Sequence, residues 1–157
     1  MAWSVLSFGR HSGKTLPQVI FADPDWFFWA EETGIFESRG ETLRTEADEI
    51  GRRARAIRIP NNESQQRVAE YFIHGPTGKF SHMEIVPLDR PQHPGASVTF
   101  RKKYIDMSMA RQIAPYDKLG NRSLIASVKH ILLGKENARM NRKRCDDFFD
   151  NPANFVL

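Results

Sequence analysis

The chain has 157 residues, 40% apolar and 27% charged, with seventeen aromatics, one cysteine and a net charge of +4. That balance excludes a disordered chain and allows a hydrophobic core for one domain with a small appendage. The lone Cys145 excludes an intramolecular disulfide, and no apolar run approaches the ~18 residues that cross a bilayer, so a cytoplasmic protein without membrane contact is expected.

Charge is unevenly spread. Residues 1–37 carry −3 and residues 145–157 carry −3, whereas residues 98–144 hold twelve basic against three acidic side chains. A stretch of +9 points to a polyanionic partner, or more plainly to a solvated basic face.

In chain order, Trp3–Phe8 reads as a short strand and Gly9–Thr15 as a glycine-bearing loop. Leu16–Phe21 fits one or two helical turns opened by Pro17. Asp23-Pro24-Asp25 is a strong helix start, with an Asp cap, a first-turn proline and an early acid, and Gly34 marks the end of that helix. Leu43, Ala47, Ile50, Ala54 and Ile57 recur at helical spacing, and Pro60 with Asn61-Asn62 breaks the pattern. Val68–His74 and Lys79–Leu88, joined by Gly75-Pro76-Thr77-Gly78, form a hairpin signal. Residues 88–95, with Pro91 and Pro94, read as a loop. Ser97–Asp106 is a third strand, with Val98, Phe100 and Tyr104 on one parity and Arg101 and Lys103 on the other. Asn121–Leu133 is the clearest helix, stopped by Gly134. Residues 135–144 are polar and basic, and the apolar end from Asp146 to Leu157 is expected to dock on the fold. The fold class is α+β: a small N-terminal glycine-loop/helix unit (1–37), then a short antiparallel sheet of about three strands flanked by helices (38–157), packed as one compact protein.

The loop Phe8-Gly9-Arg10-His11-Ser12-Gly13-Lys14-Thr15 invites comparison with a phosphate loop. The Walker pattern needs four residues between its glycines, and here there are three. No apolar strand ends in an aspartate to hold a metal ion either, so nucleotide hydrolysis is not expected. Read physically, Gly9 and Gly13 permit tight turns, and Phe8, Val19, Trp26, Phe27 and Trp29 can build a miniature aromatic core. Arg10, His11 and Lys14 would then project as anion contacts, or cover aromatic faces with their stems.

This loop, together with Leu16, Val19 and Asp23-Pro24-Asp25-Trp26-Phe27-Phe28-Trp29, resembles the C-terminal module of exodeoxyribonuclease X. The same module occurs in a family of quorum-sensing-regulated virulence factors. The resemblance covers residues 3–36, with Arg10 where lysine is common and no counterpart of the exonuclease's catalytic domain. It implies a nucleic-acid context, of bacterial, plasmid or phage origin, and no enzyme activity.

Three basic constellations fall in the positive stretch. Phe100-Arg101-Lys102-Lys103-Tyr104 interleaves bases with aromatics, as nucleic-acid sheets do, although ordinary strand alternation would turn the aromatics to the core and Arg101 and Lys103 to water. Arg139, Arg142, Lys143 and Arg144 form a cluster able to neutralise phosphates. On the helix 121–133, Arg122, Ser123, Ser127, Lys129 and His130 share a polar face, but no second helix precedes it at helix-turn-helix spacing. His11, His74, His82 and His93 with Cys145 lack metal-ligand spacing, though His74 and His82 could face each other across the hairpin. No catalytic residue, cofactor or metal is expected. The sequence thus favours a non-catalytic accessory protein binding nucleic acid, DNA before RNA, through Arg10, His11, Lys14, Arg101, Lys103, Arg122, Lys129, Arg139, Arg142, Lys143 and Arg144. The alternative is a protein-interaction module whose acidic N-terminal unit docks a partner as inhibitor or adaptor.

Overall fold

The structure is a computed structural model, and it describes residues 2–92 and 97–157. Its elements run α1 (Leu16–Ala22), α2 (Pro24–Glu32), α3 (Glu41–Ala54), β1 (Arg67–His74), β2 (Phe80–Pro87), β3 (Ser97–Lys102), α4 (Met109–Ile113), α5 (Gly120–Leu133) and α6 (Arg142–Asp150). Short 3-10 turns follow α2 at Glu37–Arg39 and α6 at Pro152–Asn154. The fold is α+β, with helices around one three-stranded sheet.

Local chemistry explains the helix starts. Thr15 and Gln18 form a reciprocal capping box on α1, and the Asp23 side chain accepts from Trp26 N at the start of α2. The Asn141 side chain caps α6 by accepting from Arg144 N, so the basic run 142–144 is the first turn of a helix. Sequence periodicity missed this helix, and missed the five-residue α4, because neither carries a long apolar stripe.

The sheet is antiparallel in the order β2-β1-β3, which leaves β3 and β2 as edges. Tyr71 of β1 stands opposite Met83 of β2 and Phe100 of β3. Helix α5 covers this face beside β2, where Ser127 Oγ accepts from Met83 N at 3.1 Å. Ala47, Ile50 and Ala54 of α3 are buried, and Ile57 beyond it bridges both Ile105 and Phe155. The C-terminal segment docks as expected: Phe149 and Phe155 are buried, and Val156 N donates to Ala56 O. A continuous buried cluster runs from Trp3 through α1, α2, α3 and the sheet to Phe155.

Several expectations need correction. Trp3–Phe8 is not a strand: it makes one bridge, Val5 with Thr15, and two backbone bonds that close the loop, Leu6 N to Lys14 O and Gly13 N to Leu6 O. Trp29 lies on the outer side of α2 and is 40% exposed, so the aromatic core of this unit is Trp26, Phe27, Phe28 and Phe36. The third strand ends at Lys102, and its orientation is the reverse of simple alternation. Phe100 is 50% exposed and Val98 47%, while Arg101 turns toward the buried Glu70. Coverage decides this. Helix α5 shields the β2 side of the sheet and leaves the β3 side open, whereas Glu70 on the opposite face needs a cation. Part of the proline loop, including His93, lies outside the described residues.

Candidate nucleic-acid interface

The glycine loop is a closed structure. Gly9 and Gly13 adopt φ of 72° and 90°, conformations that favour glycine. Ser12 N donates to Gly9 O, Gly13 N to Leu6 O and Lys14 N to His11 O. A phosphate loop needs such amides free to face an anion, and here they are consumed internally.

His11 does not project. It is 7% exposed, packs edge-on against Trp26 with centroids 5.1 Å apart, and places Nε2 2.9 Å from Asp23 Oδ2. It is a core residue of the loop, and its expected role as an anion contact is withdrawn. Arg10 stays largely exposed, 3.6 Å from the same carboxylate. Lys14 is half-buried and has no ion pair among the described residues.

Asp23 joins this loop to α5. Its Oδ1 takes hydrogen bonds from Trp26 N at 3.1 Å and from Asn121 Nδ2 at 2.8 Å, and Asn121 Oδ1 in turn accepts from Asp25 N at 3.1 Å. Thr15, next to Lys14, donates its hydroxyl to Asp146 Oδ1 of α6 at 2.7 Å. Two polar contacts, each spanning roughly a hundred residues or more of sequence, therefore bring the loop, α5 and α6 together.

On α5, Arg122 and Lys129 are seven residues apart and so share a face. Burial, reinforced by Asp146, pushes the Cys145 thiol up to about 12, with Lys129 and Arg144 pulling the other way. Arg144 is the neighbour of Cys145 in α6, and Lys129 of α5 acts electrostatically on the same thiol. Arg144 also donates to Arg139 O at 3.2 Å, which draws Arg139 into the same neighbourhood. Among the described residues Lys14, Arg122, Lys129, Arg139 and Arg144 have no acidic partner. Arg142 and Lys143 are exposed but paired within α6, to Asp146 and Asp147.

The strand cations are a separate matter. Arg101 pairs with Glu70, whose side chain is 1% exposed, and also donates to Leu88 O and Arg90 O. It compensates a buried charge, so its expected phosphate role is withdrawn. Lys102 pairs with Asp106 at 2.8 Å, and Lys103 is exposed without an ion pair among the described residues. Nothing places Lys103 beside the α5–α6 cluster.

A helix does precede α5, but not at helix-turn-helix spacing: α4 has only five residues and the connection 114–119 is longer than a helix-turn-helix turn. Ser127 of the polar face is spent on the sheet. His74 bonds Thr77 Oγ1 while His82 stacks on Phe72, so the two histidines do not face each other. Among the described residues no group of three or more potential ligands could hold a metal, and no helix is long and apolar enough to cross a membrane. Sequence reasoning missed Asp23 as the hub of the loop, Glu70 as the partner of Arg101, and Tyr116 beside the sheet. Only the cap position of Asp23 gave a signal.

Comparison of the chain with protein-family models, with curated proteins and with solved structures found no match. The resemblance of residues 3–36 to the exodeoxyribonuclease X module rests on its motif alone.

Proposed function

We propose that this chain is a non-catalytic accessory protein that binds nucleic acid, DNA before RNA, by its phosphate backbone. The contacts are Lys14, Arg122, Lys129, Arg139 and Arg144, with Arg10, Arg142 and Lys143 as secondary cations. One observation carries the reading: the five primary cations come from distant parts of the sequence, sit on elements tied by Thr15–Asp146 and Asp23–Asn121, and lack acidic partners among the described residues. Cations left unpaired are available to displace counterions from a polyanion. The surface pairs of Arg142 and Lys143 are exposed and weak enough to exchange for phosphate.

Backbone contacts carry no direct sequence information, so base preference is weak. The test is a mobility shift on unrelated DNA sequences with Lys129→Glu, Arg139→Glu and Arg144→Glu combined. All sequences should lose affinity about equally. Equal binding by parent and triple variant would remove the proposal. The protein-interaction reading, which the exposed Trp29 on the acidic N-terminal unit favours, would then take its place.

A further inference from the structure

The chain between α3 and β1 builds a small polar pocket. Ile57 and Ile105 exchange backbone hydrogen bonds at 3.1 and 2.9 Å, which brings Arg58 to the segment after β3 that carries Lys103 and Tyr104. At the end of the hairpin, Arg67 stands opposite Pro87 and Leu88 N donates to Gln66 O at 2.7 Å. These pairings enclose about 130 Å³, lined chiefly by Arg58, Arg67, Lys103, Glu63, Tyr104 and Leu88. Sites that surround a drug-sized ligand run to roughly 300–1,000 Å³, so this one takes a single head group.

Two of its cations are held in place without being neutralised. Arg58 Nε donates to Ala153 O at 3.2 Å and its Nη2 to Phe155 O at 3.1 Å, and Arg67 Nη1 donates to Pro60 O at 3.2 Å. A guanidinium has five N–H donors, so these carbonyls fix both heads and leave most of the donors unspent. Neither arginine, nor Lys103, has an acidic partner among the described residues. The loop beneath them is fixed as well. Asn62 accepts from Arg67 N through Oδ1 and donates to Arg67 O through Nδ2, both at 2.9 Å. Gln65, which also lines the pocket, sits at φ 57°, a conformation that a non-glycine residue adopts at a cost.

The charge balance selects the occupant. Three cations face one carboxylate, Glu63, a balance of +2 on the lining. A phosphomonoester carries close to two negative charges at neutral pH, and the planar fork of an arginine matches its oxygens. Heads ordered before binding lose little freedom when the anion arrives. Tyr104 is 37% and Leu88 51% exposed, so the phosphate would meet an aromatic and an aliphatic side chain at the same pocket.

We infer that this pocket binds a small phosphomonoester, its phosphate dianion held by Arg58, Arg67 and Lys103 and its organic part lying against Tyr104 and Leu88. The site uses none of the five primary cations assigned to nucleic acid above, and it stands or falls independently of them.

The test is isothermal titration calorimetry at about pH 7.5 with three probes: phenyl phosphate, mostly a dianion there, phenyl sulfate, a monoanion of similar shape, and inorganic phosphate. Phenyl phosphate should bind saturably at one site per chain and more tightly than either of the others. Lys103→Gln changes an exposed side chain and should weaken it roughly tenfold. Glu63→Gln removes the opposing carboxylate and should tighten it. Tyr104→Leu should erase the advantage of phenyl phosphate over inorganic phosphate. An unchanged melting midpoint confirms the fold of each variant. Phenyl sulfate binding as tightly as phenyl phosphate overturns the inference, because the pocket then selects no dianion. Inorganic phosphate binding as tightly overturns it too, because no organic part is recognised. A Lys103→Gln variant that binds like the parent places the ligand elsewhere, and a parent that binds none of the probes leaves the pocket a solvated surface. Either result contradicts the inference.

Discussion

Arg101 sits on an edge strand in the most basic part of the chain, yet its guanidinium is committed to a carboxylate with 1% exposure. Removing it leaves the Glu70 charge buried and uncompensated. Arg101→Met should cost on the order of 3–5 kcal/mol in urea denaturation, and Glu70→Leu in the same chain should recover most of that loss. Trp26 and Trp29 separate in the same way. Trp26 is buried against His11 and Phe36, so Trp26→Ala should cost about 3–5 kcal/mol. Trp29→Ala should shift the midpoint distinctly less, because that ring already meets water. Cys145 gives a pH signature. Burial raises its thiol from an ordinary value of 9.0 to about 12, so the native state keeps a proton that the unfolded chain releases. Stability from this group is complete below pH 9 and is lost as pH rises toward 12. Tyr71 is raised by burial as well, and its contribution falls in the same direction. Denaturation midpoints should decline over that range, less steeply in Cys145→Ala. A thiol reagent at pH 8 should modify the unfolded protein and spare the native one.

Elements show how far the sequence could be read. Caps and stripes announced α2, α3 and α5, because Asp23, the Ala47–Ile50–Ala54 spacing and Gly134 each carry a local physical signal. The hairpin was legible from its glycines. The orientation of β3 was not: alternation separates Phe100 from Arg101 but cannot tell which face another element covers. That depends on α5 packing beside β2. Helix α6 was hidden because its first turn is Arg142-Lys143-Arg144 and its buried residues are only Cys145 and Phe149. The candidate interface was legible as a list of cations but not as a place, since the contacts that assemble it span roughly a hundred residues or more. Thr15 tests that assembly. Thr15→Val keeps the shape of a fully buried side chain but removes the hydroxyl that caps α1 and binds Asp146. It should cost about 1–3 kcal/mol. It should also weaken nucleic-acid binding without altering any cation, readable by comparing denaturation and anisotropy on one preparation.

At the scale of the whole molecule, a net charge of +4 conceals an uneven division of labour. Arg101, Lys102 and Arg111 are engaged with Glu70, Asp106, Asp25 and Glu32, and so hold the fold together. Lys14, Arg122, Lys129, Arg139 and Arg144 have no acidic partner among the described residues. If phosphates bind there, each neutralised phosphate releases condensed counterion, and the logarithm of affinity falls linearly with the logarithm of salt. Five such cations bound to phosphate correspond to a slope of about −4 to −5 on duplex DNA. The most direct measurement is therefore the duplex dissociation constant over a salt series, for the parent and for the Lys129→Glu, Arg139→Glu, Arg144→Glu variant. The account predicts the steep slope in the parent and a slope flatter by about 3 in the variant. A parent whose binding is absent or insensitive to salt, or a variant with the same slope, would contradict it.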